Sequence, residues 1–140
     1  MKEISLKVEK DILHGIQLVD TQLISLHCDV DKEKVNNDNI KTSISISTKG
    51  NAMDNRIGET IIDINIESEA FHINIVQMGV FEKNSELEIS KEAFEDFLAT
   101  QGIRLLWSFA RENVYEISCK MLRKPIMLPT LDVMKALKKR

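Results

Sequence analysis

The sequence predicts an α+β fold, a four-stranded antiparallel meander followed by helices, and three observations predict it. The first two thirds of the chain carry apolar residues at every second position, and the last third carries them at steps of three and four. No repeat or low-complexity stretch lies between the two parts. Period two marks a strand with one buried face and period 3.6 an amphipathic helix, and strands grouped ahead of helices point to α+β. The 140 residues form one expected domain, 1–140, able to bury roughly two thirds of its unfolded surface.

The first strand is expected over about 18–30, where Ile24, Leu26, Cys28 and Val30 share one side. Ile40, Thr42, Ile44, Ile46 and Thr48 then alternate with Lys41, Ser43, Ser45 and Ser47. This predicts a second strand with one face in a core and the other in water. The stretch KGNAMDNRIGE at 49–59 has the Gly, Asn and Asp of a longer turn. Ile62, Ile64 and Ile66 mark a third strand, and Phe71, Ile73 and Ile75 a fourth, joined by a tight hairpin across 67–70. After Ile75 the apolar phase shifts to Val76, Met78 and Val80, which predicts a bulge near that point.

Ser90 can cap a helix from Lys91 to about Thr100, with Ala93, Phe94, Phe97 and Leu98 on one side and Gly102 ending it. The longest helix follows, from about 103 to 122. Ile103, Leu106, Trp107, Ala110, Val114, Ile117 and Met121 form one continuous stripe along it, built to pack on a sheet or a partner. Leu105 and Phe109 lie on roughly the opposite side, and one core cannot cover both. Arg111 sits at the edge of the stripe with no carboxylate three or four residues away. Its donors must therefore find partners outside their own helix, which makes it a fastener to the sheet or to a second subunit. Pro125 and Pro129 hold an extended link, and Leu131, Met134 and Leu137 give a short final helix one thin apolar edge that must dock.

Composition excludes several functions. The apolar content is 43%, the charged content 29% and the net charge −3, an ordinary globular profile. No run approaches the length of a membrane span, and the N-terminus MKEISLKVEKDILHG lacks the apolar core of a signal peptide. No membrane insertion and a cytoplasmic location are expected. Nucleic acid is not an expected partner, since the one basic cluster, Lys135, Lys138, Lys139 and Arg140, suits a helix end kept in water. Cys28 and Cys119 belong to no metal or redox spacing and are expected to be reduced and buried. In Asp29 to Glu33 the start of a calcium loop is mimicked, but Lys34 and Ile40 stand where Gly and a bidentate Glu are required, leaving an acidic turn. His14, His27 and His72 are scattered without ligand spacing. No phosphate-binding loop, dinucleotide fingerprint, nucleophile elbow or zinc-protease motif occurs, so no catalytic residue, metal or cofactor is expected. What stands out instead is surplus apolar surface, of the kind that serves self-assembly or an apolar partner.

The region from Leu105 to Leu137 resembles the most characteristic part of the protein-export chaperone family SecB. There an aliphatic pair, an aromatic and then Ala-Arg-Glu open the long helix, and here LLWSFARE fills the pattern with Ser108 in the usual place of Pro. The link and LPTLDVMKAL are similar to the family's proline-containing link and final helix. Glu69-Ala70-Phe71 with Val76 to Phe81 is similar to its strand ending in Gly, an aliphatic residue and Phe. The likeness covers nearly the whole chain and is loose only over the first thirty or so residues. It implies an ATP-independent holdase for unfolded polypeptides, assembled as a homotetramer, a dimer of dimers with long helices between two sheets. SecB hands its clients to the motor SecA through acidic residues on the open sheet face and a C-terminal tail. Here Asn74 replaces an acid, His72 an apolar neighbour and Ile24 another acid, with Asp20 the acid that remains, and the chain ends in KALKKR. These departures count against transfer to SecA. They bring the chain closer to solitary SecB-like proteins, some of which serve toxin-antitoxin systems by chaperoning the antitoxin.

The expected client surface is Phe94, Phe97, Leu98 and Leu105, with Leu131, Met134 and Leu137 as a lid. The expected structural or interface set is Trp107, Phe109, Arg111, Val114, Ile117 and Met121. A competing reading is an oligomeric scaffold or adaptor whose apolar surface is wholly consumed in assembly. A small-molecule enzyme on this fold has no sequence feature behind it.

Overall fold

The computed structural model describes residues 14–35 and 41–130, together with Asp132 and Lys135. Four strands, β1 (Ile16–Val30), β2 (Ser43–Ala52), β3 (Ile57–Glu67) and β4 (Phe71–Lys83), precede two helices, α1 (Lys91–Ala99) and α2 (Gln101–Met121). The strands form one sheet in the order β1-β4-β3-β2, every pair antiparallel. The α+β class and the four antiparallel strands are as expected. The order refines the meander: β2, β3 and β4 follow one another through short turns, whereas β1 lies at the opposite edge from β2, beyond β4. The acidic turn follows β1, with the Asp31 carboxylate accepting from the Glu33 N–H at 3.0 Å.

The β2–β3 turn is shorter than the 49–59 stretch suggests, because Gly50 belongs to β2. A Cβ at Gly50 would lie 2.7 Å from the Ala99 nitrogen, so its composition serves the close approach of α1 rather than a turn. The turn itself is closed by Asp54, whose Oδ1 accepts from the N–H groups of Ile57 and Arg56, each at 2.7 Å. Those two hydrogen bonds, the Ile57 one foremost, hold the Asp54 carboxyl below its ordinary 3.8. At the next hairpin Ser68 Oγ accepts from Ala70 and Phe71 N–H at 3.1 and 3.0 Å.

The bulge expected in β4 is instead in β1. Strand β4 alternates without interruption, while the pairing shifts register between Leu18 and Asp20 and between Leu23 and Ser25. Val19 and Ile24 are the extra residues, so Ile24 does not share the face of Leu26, Cys28 and Val30. The apparent phase shift arises because Gln77 and Gly79 occupy inward positions: Gln77 accepts a hydrogen bond from the Asn113 amide and Gly79 lets Leu106 pack on the backbone. Val76, Met78 and Val80 therefore lie on the outer face.

Ser90 caps α1 as expected, its Oγ accepting from Ala93 N–H at 3.0 Å. Gly102 does not end that helix. Thr100 is the junction, and Gly102 stands in the first turn of α2, where a Cβ would come within 2.4 Å of Thr60 Oγ1. Thr60 in turn donates to the Leu98 carbonyl at 2.7 Å, pinning the helix junction to β3. Helix α2, about 31 Å long at 1.5 Å per residue, lies across the central strands and buries Ile62, Ile64, Ile66, Ile73 and Ile75 beneath Ile103, Leu106, Trp107, Ala110 and Val114. A smaller cluster of Ile16, Ala52, Phe81, Phe94 and Leu98 sits under α1. No described helix is long and apolar enough to cross a membrane.

Candidate functional site

The two helices are too narrow to cover four strands, and what they leave open is apolar. Register places Ile44 and Ile46 of β2 on the same face as Ile66 and Ile64, the helix side. Yet Ile44 is 44% and Ile46 36% exposed, against 0% for their β3 neighbours. The expectation that this face of β2 enters the core is thus corrected: α1 reaches only the Gly50 to Ala52 end of the strand. At the other edge Leu26 of β1 also faces the helix side and is 42% exposed. Cys28 and Cys119 are exposed as well, contrary to the expected burial, Cys28 because it shares this uncovered edge.

A second open surface runs along α2. Leu105 at 40% and Phe109 at 39% are exposed on the side away from the sheet, as the helical count implies. The rest of the expected set divides. Trp107 and Val114 are core residues of this chain, and Ile117 and Met121 are half-buried against the same cluster. Phe94 and Leu98 are fully enclosed under α1, which removes them from any client-facing surface of the folded chain. Phe97 is half-buried between Phe81, in an edge-on contact with ring centres 6.1 Å apart, and His14 at 5.2 Å. Leu131, Met134 and Leu137, and with them the lid, lie outside the described residues.

The Arg111 guanidinium bonds to the link of its own chain rather than to the sheet, one of its two expected partners. Its Nε donates to the Leu128 carbonyl at 2.9 Å, beside a bond from Trp107 Nε1 to the Pro129 carbonyl at 3.0 Å. Ser118 Oγ accepts from Ile126 N–H at 2.8 Å and is itself fully buried. Together these bonds tie an extended strap, residues 122–130, along α2. Sequence reasoning missed Ser118 and the indole N–H. The available signal was their spacing, since 107, 111 and 118 recur on one helical face as polar groups bordering the stripe.

The outer face of the sheet is half apolar and half polar. Val19 and Ile24, displaced by the bulges, stand exposed on β1. Asp20 is exposed opposite Val80. Toward the other end the polar groups consume one another: Asn74 Nδ2 donates to Asp63 at 2.8 Å, and His72 Nε2 shares a 2.6 Å hydrogen bond with Asn65. A surface cleft of about 490 Å³ near the start of β1 is bordered by Arg56 and Glu82, paired at 2.8 Å, and by Lys83, whose Nζ donates to the Leu87 carbonyl. Among the described residues no cluster of His, Cys, Asp and Glu is placed to hold a metal.

The architecture has a counterpart among solved structures. The SecB-like chaperone Rv1957 of Mycobacterium tuberculosis, solved in complex with a ChAD peptide from the HigA1 antitoxin Rv1956, superposes with a TM-score of 0.69 over 84% of this chain and 88% of that one, at 16% identity. The chain has a SecB-like fold. A protein of unknown function from Streptococcus agalactiae is also similar, with a TM-score of 0.51 and 14% identity over 81% of this chain and 96% of that one. No protein-family model matches the sequence, and no curated protein does so significantly. Within that fold, the helix side of both sheet edges and the outer side of α2 carry exposed apolar residues.

Proposed function

We propose that this protein is an ATP-independent chaperone, a holdase that binds non-native polypeptides without catalysing a reaction. The observation that carries the reading is the open apolar surface at both edges of the helix side of a SecB-like sheet, Ile44 and Ile46 on β2 and Leu26 on β1. Full burial of such a side chain is worth about 1.5–3 kcal/mol, so covering these half-open ones gains several kcal/mol against any apolar segment. As the outermost strand of the described sheet, β2 offers backbone pairing that is blind to sequence. Binding the unfolded state then holds it away from the native one by mass action, with no nucleotide required.

Leu105 and Phe109 are assigned to assembly, a homotetramer in which α2 of each protomer faces another. A dedicated client such as an antitoxin segment is favoured over a general export load, because the peptide in the M. tuberculosis complex comes from an antitoxin. Handover to SecA is not part of the reading, since Asn74 and His72 are tied into bonds with Asp63 and Asn65 on the outer face. The test is a nucleotide-free titration of a labelled unfolded polypeptide, monitored by anisotropy, with light scattering for mass. Saturable binding by a tetramer is expected. A tetramer that binds nothing would establish the scaffold reading instead.

A further inference from the structure

The strap along α2 is bound in the way a peptide is bound. Its residues from Pro125 to Thr130 form neither helix nor strand. They are held through their backbone: Ile126 N–H on Ser118 Oγ, the Leu128 carbonyl on Arg111 Nε, and the Pro129 carbonyl on the Trp107 indole. Ser118 is set up to accept, because its own proton goes to the Tyr115 carbonyl at 3.0 Å. Arg111 and Trp107 have only donors and can read only carbonyls. The side chains alternate as in a strand. Leu128 is fully buried and Ile126 half-buried in the main core, while Met127 between them is 63% exposed. Nothing in these contacts is specific to the strap beyond two apolar residues two positions apart on an extended backbone.

We infer that this seat on α2 is a binding site for extended client segments with apolar residues at positions i and i+2, and that residues 126–129 are its built-in occupant. A client replaces the strap: its two apolar side chains enter the places of Ile126 and Leu128, and its N–H and carbonyls take over the bonds to Ser118, Arg111 and Trp107. The inference rests on the chaperone reading and adds to the sheet edges a second client site with its own sequence pattern. A self-occupied seat also lowers the apparent client affinity by the fraction of molecules in which it is open.

Trp107 is the sole tryptophan of the chain, so its emission reports the seat directly. The probe is a tryptophan-free peptide of about nine residues with Leu-Met-Leu at its centre, followed by anisotropy of a labelled copy and by Trp107 emission with the unlabelled one. Binding accompanied by a shift in Trp107 emission and by faster amide exchange across 123–130 is expected. Binding with unchanged emission and exchange overturns this inference alone, and no binding overturns it together with the chaperone reading. Leu128→Ser empties the main socket and is expected to tighten peptide binding at least about tenfold. Pro129→Gly keeps the core filled while loosening the strap, and is expected to tighten binding about two- to fivefold. Unchanged or weaker binding by a folded Pro129→Gly protein contradicts self-occupancy even where Leu128→Ser fails to fold.

Discussion

Leu105 and Leu106 are neighbours on α2, yet Leu106 is fully buried and Leu105 is 40% exposed. The contrast extends along the helix. The side carrying Leu106, Trp107, Ala110 and Val114 is closed by the sheet and the strap of the same chain, whereas Leu105 and Phe109 remain 40% and 39% exposed. Residues of the same chemistry thus do two jobs a hundred degrees of helix apart. The closed side makes the fold, and the open side is the one assigned to assembly in the proposed function.

Substitutions on the two sides should separate sharply. Leu106→Ala removes a fully enclosed side chain over Gly79 and is expected to lower stability by about 2–5 kcal/mol, read from urea melts. Arg111→Ala strands the Leu128 carbonyl and frees the strap, an expected loss of about 1.5–3 kcal/mol that precedes any loss of assembly or client binding. An Arg111→Ala protein as stable as the natural one would contradict the fastener role. Leu105→Ser with Phe109→Ser should change the stability of the protomer by no more than about 0.5 kcal/mol while reducing the mass seen by light scattering. A large drop in protomer stability would mean that this side is closed after all.

The smallest effect lies far from both sides, at Asp54. Its carboxyl is depressed in the folded state, so the folded protein binds fewer protons there than the unfolded chain. That contribution is complete above the ordinary value of 3.8 and is lost as pH falls through the lower folded value. Asp54→Asn should therefore flatten slightly the loss of stability as pH falls below about 4, with the turn otherwise retained.

How much of this was legible in the sequence follows from what periodicity measures. Alternation located β2, β3 and β4, and the helical stripe located α2 with its open pair Leu105 and Phe109, because both depend only on local geometry. Periodicity could not show that β1 crosses to the far edge of the sheet, since strand order is a long-range property. It also could not tell Ile44 from Ile64. Both alternate perfectly, and only the width of the helical layer decides that one is covered and the other is not. Gly50 and Gly102 were misread for a related reason: a glycine needed for close approach of two backbones looks in sequence like a glycine needed for a turn. Arg111 shows the opposite case, since the lack of a carboxylate one turn away already required a partner from outside its helix, and the Leu128 carbonyl is that partner.

The central claim is that the apolar surface left open on the helix side of the sheet edges holds non-native chains. Aggregation of a denatured protein, followed by light scattering without nucleotide, tests it when the natural protein is compared with the Ile44→Ser, Ile46→Ser double variant. The account predicts suppression at near-stoichiometric amounts by the natural protein and a loss of about tenfold or more for an equally folded, equally sized variant, as expected when several kcal/mol of apolar burial is halved. Equal suppression by both would contradict it.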